Sequence, residues 1–446
     1  MKAKSNKTNS SRRNFLKIGA ATGAGFWAAN SSEFVLSDSP NEQIQFASVG
    51  VGGKGNSDSD ECGRNGQLIA ICDVDDRSLE KKAARYPDAK RYFDYRTMLD
   101  EMGDQIDAVT VSTPDHNHAP AAAMAMRMKK NCFVQKPMTH SIHEARILSE
   151  LAAENNLITM MGNQGTANSG LRRAAAVVQM GTLGKVIQVH VWTNRPVWPS
   201  GIEMPTDEPP VPKTVHWDQW IGPAEYRPYH PAYHPFKWRG FWDFGTGALG
   251  DMACHTVNLP FMALDLKDPF SIQAETPGHN GESYPSWAII DFAFPERNGR
   301  PALTMKWYDG GKRPADSLFE GIEEPAISGC MIVGEKGRLY SPNDYGEVYE
   351  ILGDAEDPTD VEFEESPGHF EEWVRAMHGG PAAVSNFPDY AGPLTENILL
   401  GNLAVWAASE EGVGKVVAWD AANLKPANSP ELDFIVKKEY QNGYVL

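Results

Sequence analysis

The stretch IQFASVGVGGKGN, residues 44–56, is an apolar run that breaks into glycine, with Gly50, Gly52 and Gly55 in G-x-G-x-x-G spacing. The run predicts a strand, the glycines a tight turn, and the residues beyond them a helix. The first glycine makes the turn, the second lets backbone approach a pyrophosphate, and the third lets helix and strand pack closely. Gly53 lies inside the same loop and joins them as a cofactor-binding position. Exposed N–H groups at the helix start then hold the phosphate charge. A second apolar run, QLIAICDVD (67–75), ends at Asp73, where an acid is placed to hydrogen-bond adenosine ribose hydroxyls. That carboxylate argues for NAD over NADP, because a 2′-phosphate would meet it, although Arg77 close by leaves NADP open.

The helix after Gly55 reads NSDSDECGRNG, which lacks the apolar stripe a sheet-packing helix normally carries. Asn56, Ser57 and Asp58 either cap this helix or lie near the phosphates, and Asp58 and Asp60 beside a pyrophosphate are electrostatically awkward unless they point to solvent.

Outward from this unit, the runs AVTVSTP, NCFVQKP and LITMMGNQ alternate with helical patterns, the signature of a parallel sheet with crossover helices. Residues 41–165 are expected to form this first domain, with Gln164 at its closing turn. After the helix LRRAAAVVQMGTLG the rhythm changes. KVIQVHVWTN, SWAIIDFAF, PALTMKWYD, GCMIVGEKGRLYS and GEVYEIL follow without intervening helices, which predicts a mainly antiparallel sheet in a domain of residues 166–446. The late helices HFEEWVRAMHGG and LTENILLGNLAVWAASEEG are expected to cover one end of it.

Three stations carry chemistry. The strand end VSTPDHNHAP places Thr113, Pro114, Asn117 and His118 toward the cofactor crevice, with capping by Asp115 or Asn117 as the alternative. Gln135-Lys136-Pro137 ends the next strand. An ammonium held there can hydrogen-bond a substrate hydroxyl and join a proton relay. In WDFGTGALGDMACHTVN, Asp251 and His255 are four residues apart, which on a helix puts carboxylate and imidazole on one face. An imidazole is a natural acceptor for a hydroxyl proton. The segment HWDQWIGPAEYRPYHPAYHPFKWRGFWDFG is dense in aromatics. Two readings stand open for it: sugar-stacking surfaces around Trp238 with Lys237 and Arg239 on hydroxyls, or packing under a long loop. The prolines around His230 and His234 speak against a metal pair, and no metal is expected.

Taken together, the glycine loop, Thr-Pro strand end, Lys-Pro turn and glycine-rich Asp-x-x-x-His helix resemble the Gfo/Idh/MocA oxidoreductases. The resemblance implies an α/β chain with an N-terminal Rossmann domain and a C-terminal α+β domain whose sheet often makes oligomer contacts, hence a homodimer or homotetramer. It implies hydride transfer between NAD(P) and a hydroxyl of a sugar, cyclitol or glycoside. Carried over by position, Lys136 matches the catalytic lysine, Asp251 the substrate-orienting acid and His255 the acid/base, all three touching substrate; on the sugar-stacking reading of the aromatic segment Trp238 and Arg239 touch it too. Lys136 and Gln135 also count as cofactor contacts. Gln135 replaces the usual Glu, removing a charge beside the lysine, and Asn258 stands where an acid is frequent. An NAD-using glycosidase or lyase that cleaves glycosides through transient oxidation is the alternative.

The N-terminus reads as an address. Residues 11–17, SRRNFLK, followed by IGAATGAGFWAA, resemble a twin-arginine signal, with residues 1–36 as signal and linker. The resemblance implies the Tat machinery as partner, a periplasmic or otherwise exported product, and no membrane anchor after processing. Removing the six bases among residues 1–17 leaves 35 bases against 59 acids, a net charge of −24. Such a surface repels nucleic acid and anionic lipid. The five cysteines show no metal spacing and read as buried thiols. Free NAD is scarce outside the cytoplasm, so a tightly held cofactor, reset within each cycle, is expected.

Overall fold

The computed structural model describes residues 43–446. The twin-arginine signal and linker, residues 1–36, lie outside the described residues.

Six parallel strands form the first sheet: β1 (Gln45–Val49), β2 (Gln67–Cys72), β3 (Lys90–Tyr92), β4 (Ala108–Val111), β5 (Asn131–Val134) and β6 (Thr159–Met161). Their order is β3-β2-β1-β4-β5-β6. Five coincide with the apolar runs. β3 is short and mostly exposed, so it carries no such run. Helices α1 (Gly53–Asn65), α2 (Asp76–Arg85), α3 (Tyr95–Met102), α4 (His118–Arg127) and α5 (Ile142–Asn155) lie between the strands. Ser141 and Glu144 close a capping box at the start of α5. Strand order reverses between β1 and β4, which stay paired up to Val49 and Val111, and the carboxyl ends of strands at such a switch point border a crevice.

Helix α1 corrects the expectation for its acids. Asp58 and Asp60 are buried, not solvent-facing. Asp60 meets the buried Lys82 ammonium of α2 at 2.6 Å and Arg85 at 2.6 Å. Asp58 accepts from Ser112 at 2.8 Å and Gln135 at 2.9 Å, and pairs with Lys54. Ion pairs and hydrogen bonds thus supply part of the attachment that an apolar stripe gives other helices.

Helix α6 (Ser169–Gln179) leads into the second sheet, whose strands are β7 (Val186–Trp192), β8 (Ser271–Pro277), β9 (Ile289–Phe294), β10 (Leu303–Tyr308), β11 (Gly329–Gly334), β12 (Gly337–Pro342), β13 (Glu350–Gly353), β14 (Glu411–Val413), β15 (Val417–Asp420) and β16 (Lys425–Pro426). The order is β13-β12-β11-β7-β10-β9-β8-β15-β16, with β14 also on β8. Every pairing is antiparallel except β7 with β10. The run GCMIVGEKGRLYS proves to be the β11–β12 hairpin. β8, whose burial alternates strictly, shows in sequence only Ile272 and Ala274 as inward apolar residues and escapes notice.

Between β7 and β8 the chain makes the aromatic excursion, which contains α7 (Trp217–Ile221) and ends in α8 (Gly247–Thr256) and α9 (Asn258–Leu264). Trp217, Trp220, Tyr233, Phe241 and Phe244 form a buried cluster of their own. It is pinned to the first sheet where His216 N–H donates to the Val74 carbonyl and Asp76 N–H to the Thr214 carbonyl, each at 2.8 Å. Packing is therefore the role of most of these rings.

The two late helices part company. In α10 (His369–Met377), Phe370 and Trp373 pack on Phe46 and Phe133 of the first sheet, with both Trp373 ring centroids at 5.7 Å. Only α11 (Gly392–Ala407) serves the second sheet, where Gly401 lies against Leu249 of α8 and Phe292 of β9. Among the described residues, no helix is long and apolar enough to cross a membrane. All five cysteines are buried and free.

Candidate active site

The glycine loop does what its spacing predicts. Gly50 has φ +80°, and a Cβ there would overlap the Ser112 carbonyl oxygen. A Cβ on Gly55 would overlap the Gly50 carbonyl oxygen, so α1 sits on the turn only because that atom is missing. At Gly52 a Cβ would lie 2.7 Å from Ser78 Oγ, whereas one at Gly53 would meet nothing within 4 Å. The loop therefore leaves open space in front of backbone N–H groups at a helix start, which suits a pyrophosphate.

Asp73 carries hydrogen bonds within the protein besides the expected place beside the ribose. Its carboxylate accepts N–H bonds from Val51 at 2.9 Å, Gly52 at 3.0 Å and Asp75 at 2.9 Å. Burial raises its pKa against these donors. Its visible work is to shape the loop. It still lines the cleft with Asp75 and Ser78.

That cleft, of ≈ 650 Å³, runs from Asp73, Phe93 and Tyr444 past the loop to Lys136, Asp251 and His255. Thr113, Pro114, Asn117, His118, Gln135, Gln164, Trp238 and Arg239 all line it too, so every expected site residue except Gly55 and Lys237 opens onto one space. Gly55 instead supports the loop from beneath.

Within it, side chains divide by what they touch. His118 lies between the Pro137 carbonyl, 2.8 Å from Nδ1, and the Thr113 carbonyl, 2.8 Å from Nε2, and as a neutral ring it donates to one of them, packed between the β4 end and the lysine turn. Asn117 donates to the Trp220 carbonyl at 2.9 Å, while its Oδ1 is buried without a partner. Gln135 gives its amide to Asp58 and takes the Lys136 N–H on Oε1 at 3.3 Å. These residues position more than they react.

Lys136 Nζ lies 2.8 Å from Asp251 Oδ1 and 2.8 Å from the Asp251 carbonyl. Burial pushes the Asp251 pKa up, but Lys136 and Arg239 outweigh it and hold the carboxyl below the usual range. His255, one turn on, is buried, with Nδ1 unpartnered and its ring edge-on to Tyr345 at 4.9 Å. Burial, then Lys136, pushes its pKa well down, so the ring is a neutral base.

Arg239 stacks on Trp238 at 4.4 Å and reaches Asp115 at 3.1 Å. Its guanidinium is engaged with protein, and Lys237 is exposed outside the cleft lining. Asn258 is buried and donates to Thr166 at 2.9 Å. Sequence reasoning missed Arg195 and Tyr345, which both line the cleft. Arg195 follows the β7 run by three residues and Tyr345 sits in the β12–β13 turn, positions that carry no local motif.

Comparison with known proteins identifies the family and the fold that carry this site. Residues 44–163 match the family model "Oxidoreductase family, NAD-binding Rossmann fold", and residues 168–299 match "Oxidoreductase family, C-terminal alpha/beta domain". The chain belongs to the Gfo/Idh/MocA oxidoreductase family, with an NAD-binding Rossmann domain at its N-terminal side. A glycosyl hydrolase family 109 protein of Shewanella baltica is 30% identical over 181 residues, covering 34% of this chain and 39% of that protein. The first curated relatives are matched over only 27% to 39% of their length. Two solved structures share the fold. The WlbA dehydrogenase from Chromobacterium violaceum, solved with NADH and UDP-GlcNAcA, has TM-score 0.61 and 17% identity over 85% of this chain and 96% of its own. An inositol dehydrogenase homolog from Azotobacter vinelandii, solved with NADH and myo-inositol, has TM-score 0.55 and 16% identity over 84% and 98%.

Proposed function

We propose that this protein is an NAD-dependent oxidoreductase acting on a CH–OH group of a sugar, cyclitol or glycoside. The observation that carries the reading is the shared cleft: the glycine loop opens onto the same space as Lys136, Asp251 and His255. The residues present suit the cofactor. Gly53 leaves room before the loop, and Asn117 Oδ1 offers an unused buried acceptor.

When bound, the nicotinamide ring supplies the two-electron acceptor or donor. The chain's own residues manage the proton. Lys136 hydrogen-bonds the substrate hydroxyl oxygen from a position set by Asp251. His255, kept neutral by burial, takes the hydroxyl proton during oxidation and returns it during reduction. Gln135 and His118 hold the lysine turn in place from behind.

The proposal extends to cofactor retention. The aromatic excursion bonds to the chain after β2 at Val74 and Asp76, beside the adenosine end of the cleft. The C-terminal tail joins it there, with Gln441 N–H on the Pro223 carbonyl at 2.9 Å. These ties favour a dinucleotide held through many turnovers, reset by product or a second sugar. Such retention suits export by the twin-arginine route, which moves folded proteins. Domain limits near residue 165, and an oligomer formed through the second sheet, complete the proposal.

A second reading, glycoside cleavage through transient oxidation, draws on the Shewanella relative. The test is the mass and near-ultraviolet spectrum of the purified protein before and after adding sugars and aryl glycosides. Bound dinucleotide that becomes reduced supports the oxidoreductase. Release of the aglycone without net reduction supports the second reading, and protein that neither holds nor takes up NAD refutes both.

A further inference from the structure

Three cationic side chains converge on Asp251, and they are not equally occupied. Lys136 spends its ammonium on the Asp251 carboxylate and carbonyl, both at 2.8 Å. Arg239 lies 3.5 Å from Asp251 by Nε, 3.1 Å from the fully buried Asp115, and over the Trp238 ring at 4.4 Å from its centroid. Arg195 is the exception. Its Nε is 3.5 Å from Asp251 Oδ2, and its Nη1 meets only the neighbouring Asn194. Its Nη2 has no hydrogen-bond partner among the described residues. The side chain is 25% exposed, and it lines the cleft. Its backbone is fixed, since Gly310 N–H donates to the Arg195 carbonyl at 2.7 Å beyond the end of β10.

The charges around this end do not cancel. Lys136, Arg195 and Arg239 face Asp115 and Asp251, leaving an excess of one positive charge. His255 adds none, being neutral. Lys54, on the glycine loop, is matched by Asp58. At the far end, Asp75 and Asp94 are matched by Arg77 and Arg96 at 2.6 Å each, and Asp73 is held by backbone N–H groups. A surplus cation in a recess concentrates anions there, and a guanidinium fork matches a carboxylate in two-point geometry.

We propose that the substrate is a sugar acid whose carboxylate is bound by Arg195 while the reacting hydroxyl lies on Lys136 and His255. The inference rests on the reading of this cleft as a sugar-oxidising site and names its substrate class. A neutral sugar leaves the Arg195 Nη2 without a charged partner. A carboxylate gives its open Nη2 a partner and cancels the excess charge.

The experiment is calorimetric titration of the cofactor-bound protein with glucuronate and galacturonate, each against its parent hexose. Hydride transfer is followed in parallel. At least one uronate is expected to bind ~10-fold or more tightly than its hexose. Arg195→Gln is expected to remove that preference and Arg195→Lys to restore part of it. Uronate preference without hydride transfer upholds the carboxylate site at Arg195 and counts against the oxidoreductase reading. Equal or undetectable uronate binding by the native protein, or a preference that survives Arg195→Gln, overturns the inference whether or not turnover occurs.

Discussion

The two ends of the cleft are built from different materials. The glycine-loop end is mostly backbone: Gly50, Gly52 and Gly53 clear a space, and Asp73 steadies the N–H groups beside it. The reacting end is side chain, with Lys136 from the first sheet meeting Asp251 and His255 from α8, Arg195 from beyond β7, and Tyr345 from the β12–β13 turn. A backbone site depends on missing atoms and is spoiled by adding one. A charged site depends on balance and is spoiled by removing a partner.

The largest break falls on the charged end. Lys136→Ala is expected to lower turnover by ~10²–10⁴-fold while NAD remains bound, since the loop is untouched. Rapid-mixing kinetics beside a cofactor assay separates the two effects. Next comes the anchor under the backbone end. Lys82→Met leaves Asp60 buried with only the exposed Arg85 as counter-charge, and about 3 kcal/mol of stability is expected to go. Urea unfolding of native and variant protein measures it.

Gly55→Ala probes the backbone end itself. Its methyl group would collide with the Gly50 carbonyl, so the loop must shift, at ~1–3 kcal/mol in stability and ~10-fold in NAD affinity. Unchanged affinity would mean the loop does not hold the dinucleotide.

Legibility in the sequence followed the same division. The glycine loop, β1 and β2 are contiguous, so their spacing alone carried the reading. Lys136, Asp251 and His255 were recognisable because strand-end and helix positions fix direction. Arg195 and Tyr345 were not, since only the pairing of β7 with β10 and the packing of the β12–β13 turn bring them to the cleft. The acids of α1 were misjudged for a related reason. Their partners Lys82 and Gln135 lie 22 and 77 residues away in sequence. The same burial explains Gln135: a Glu there would face the Asp58 carboxylate, so the negative charge resides on α1 instead of beside the lysine.

That junction between the two ends gives a smaller test. Gln135→Glu sets two carboxyls against each other, and they stay together only while sharing a proton. Activity of this variant is expected to fall as pH rises, by roughly 10-fold, and adding Asp58→Asn should restore it. Smallest of all is the acid limb of the native enzyme. Because the His255 pKa is lowered, its neutral form persists as pH drops through ~6.5, so turnover should change less than ~3-fold there. A steep loss at that pH would show an imidazole more exposed than the one described.

The central claim is that both ends serve one bound dinucleotide. A crystal structure with NADH tests it most directly. The account predicts the pyrophosphate on the Gly50–Gly53 loop and the nicotinamide beside Lys136 and His255, with its reacting carbon ~3–3.5 Å from a sugar carbon in a ternary complex. A nicotinamide turned away from both side chains, or a dinucleotide bound elsewhere, would contradict it.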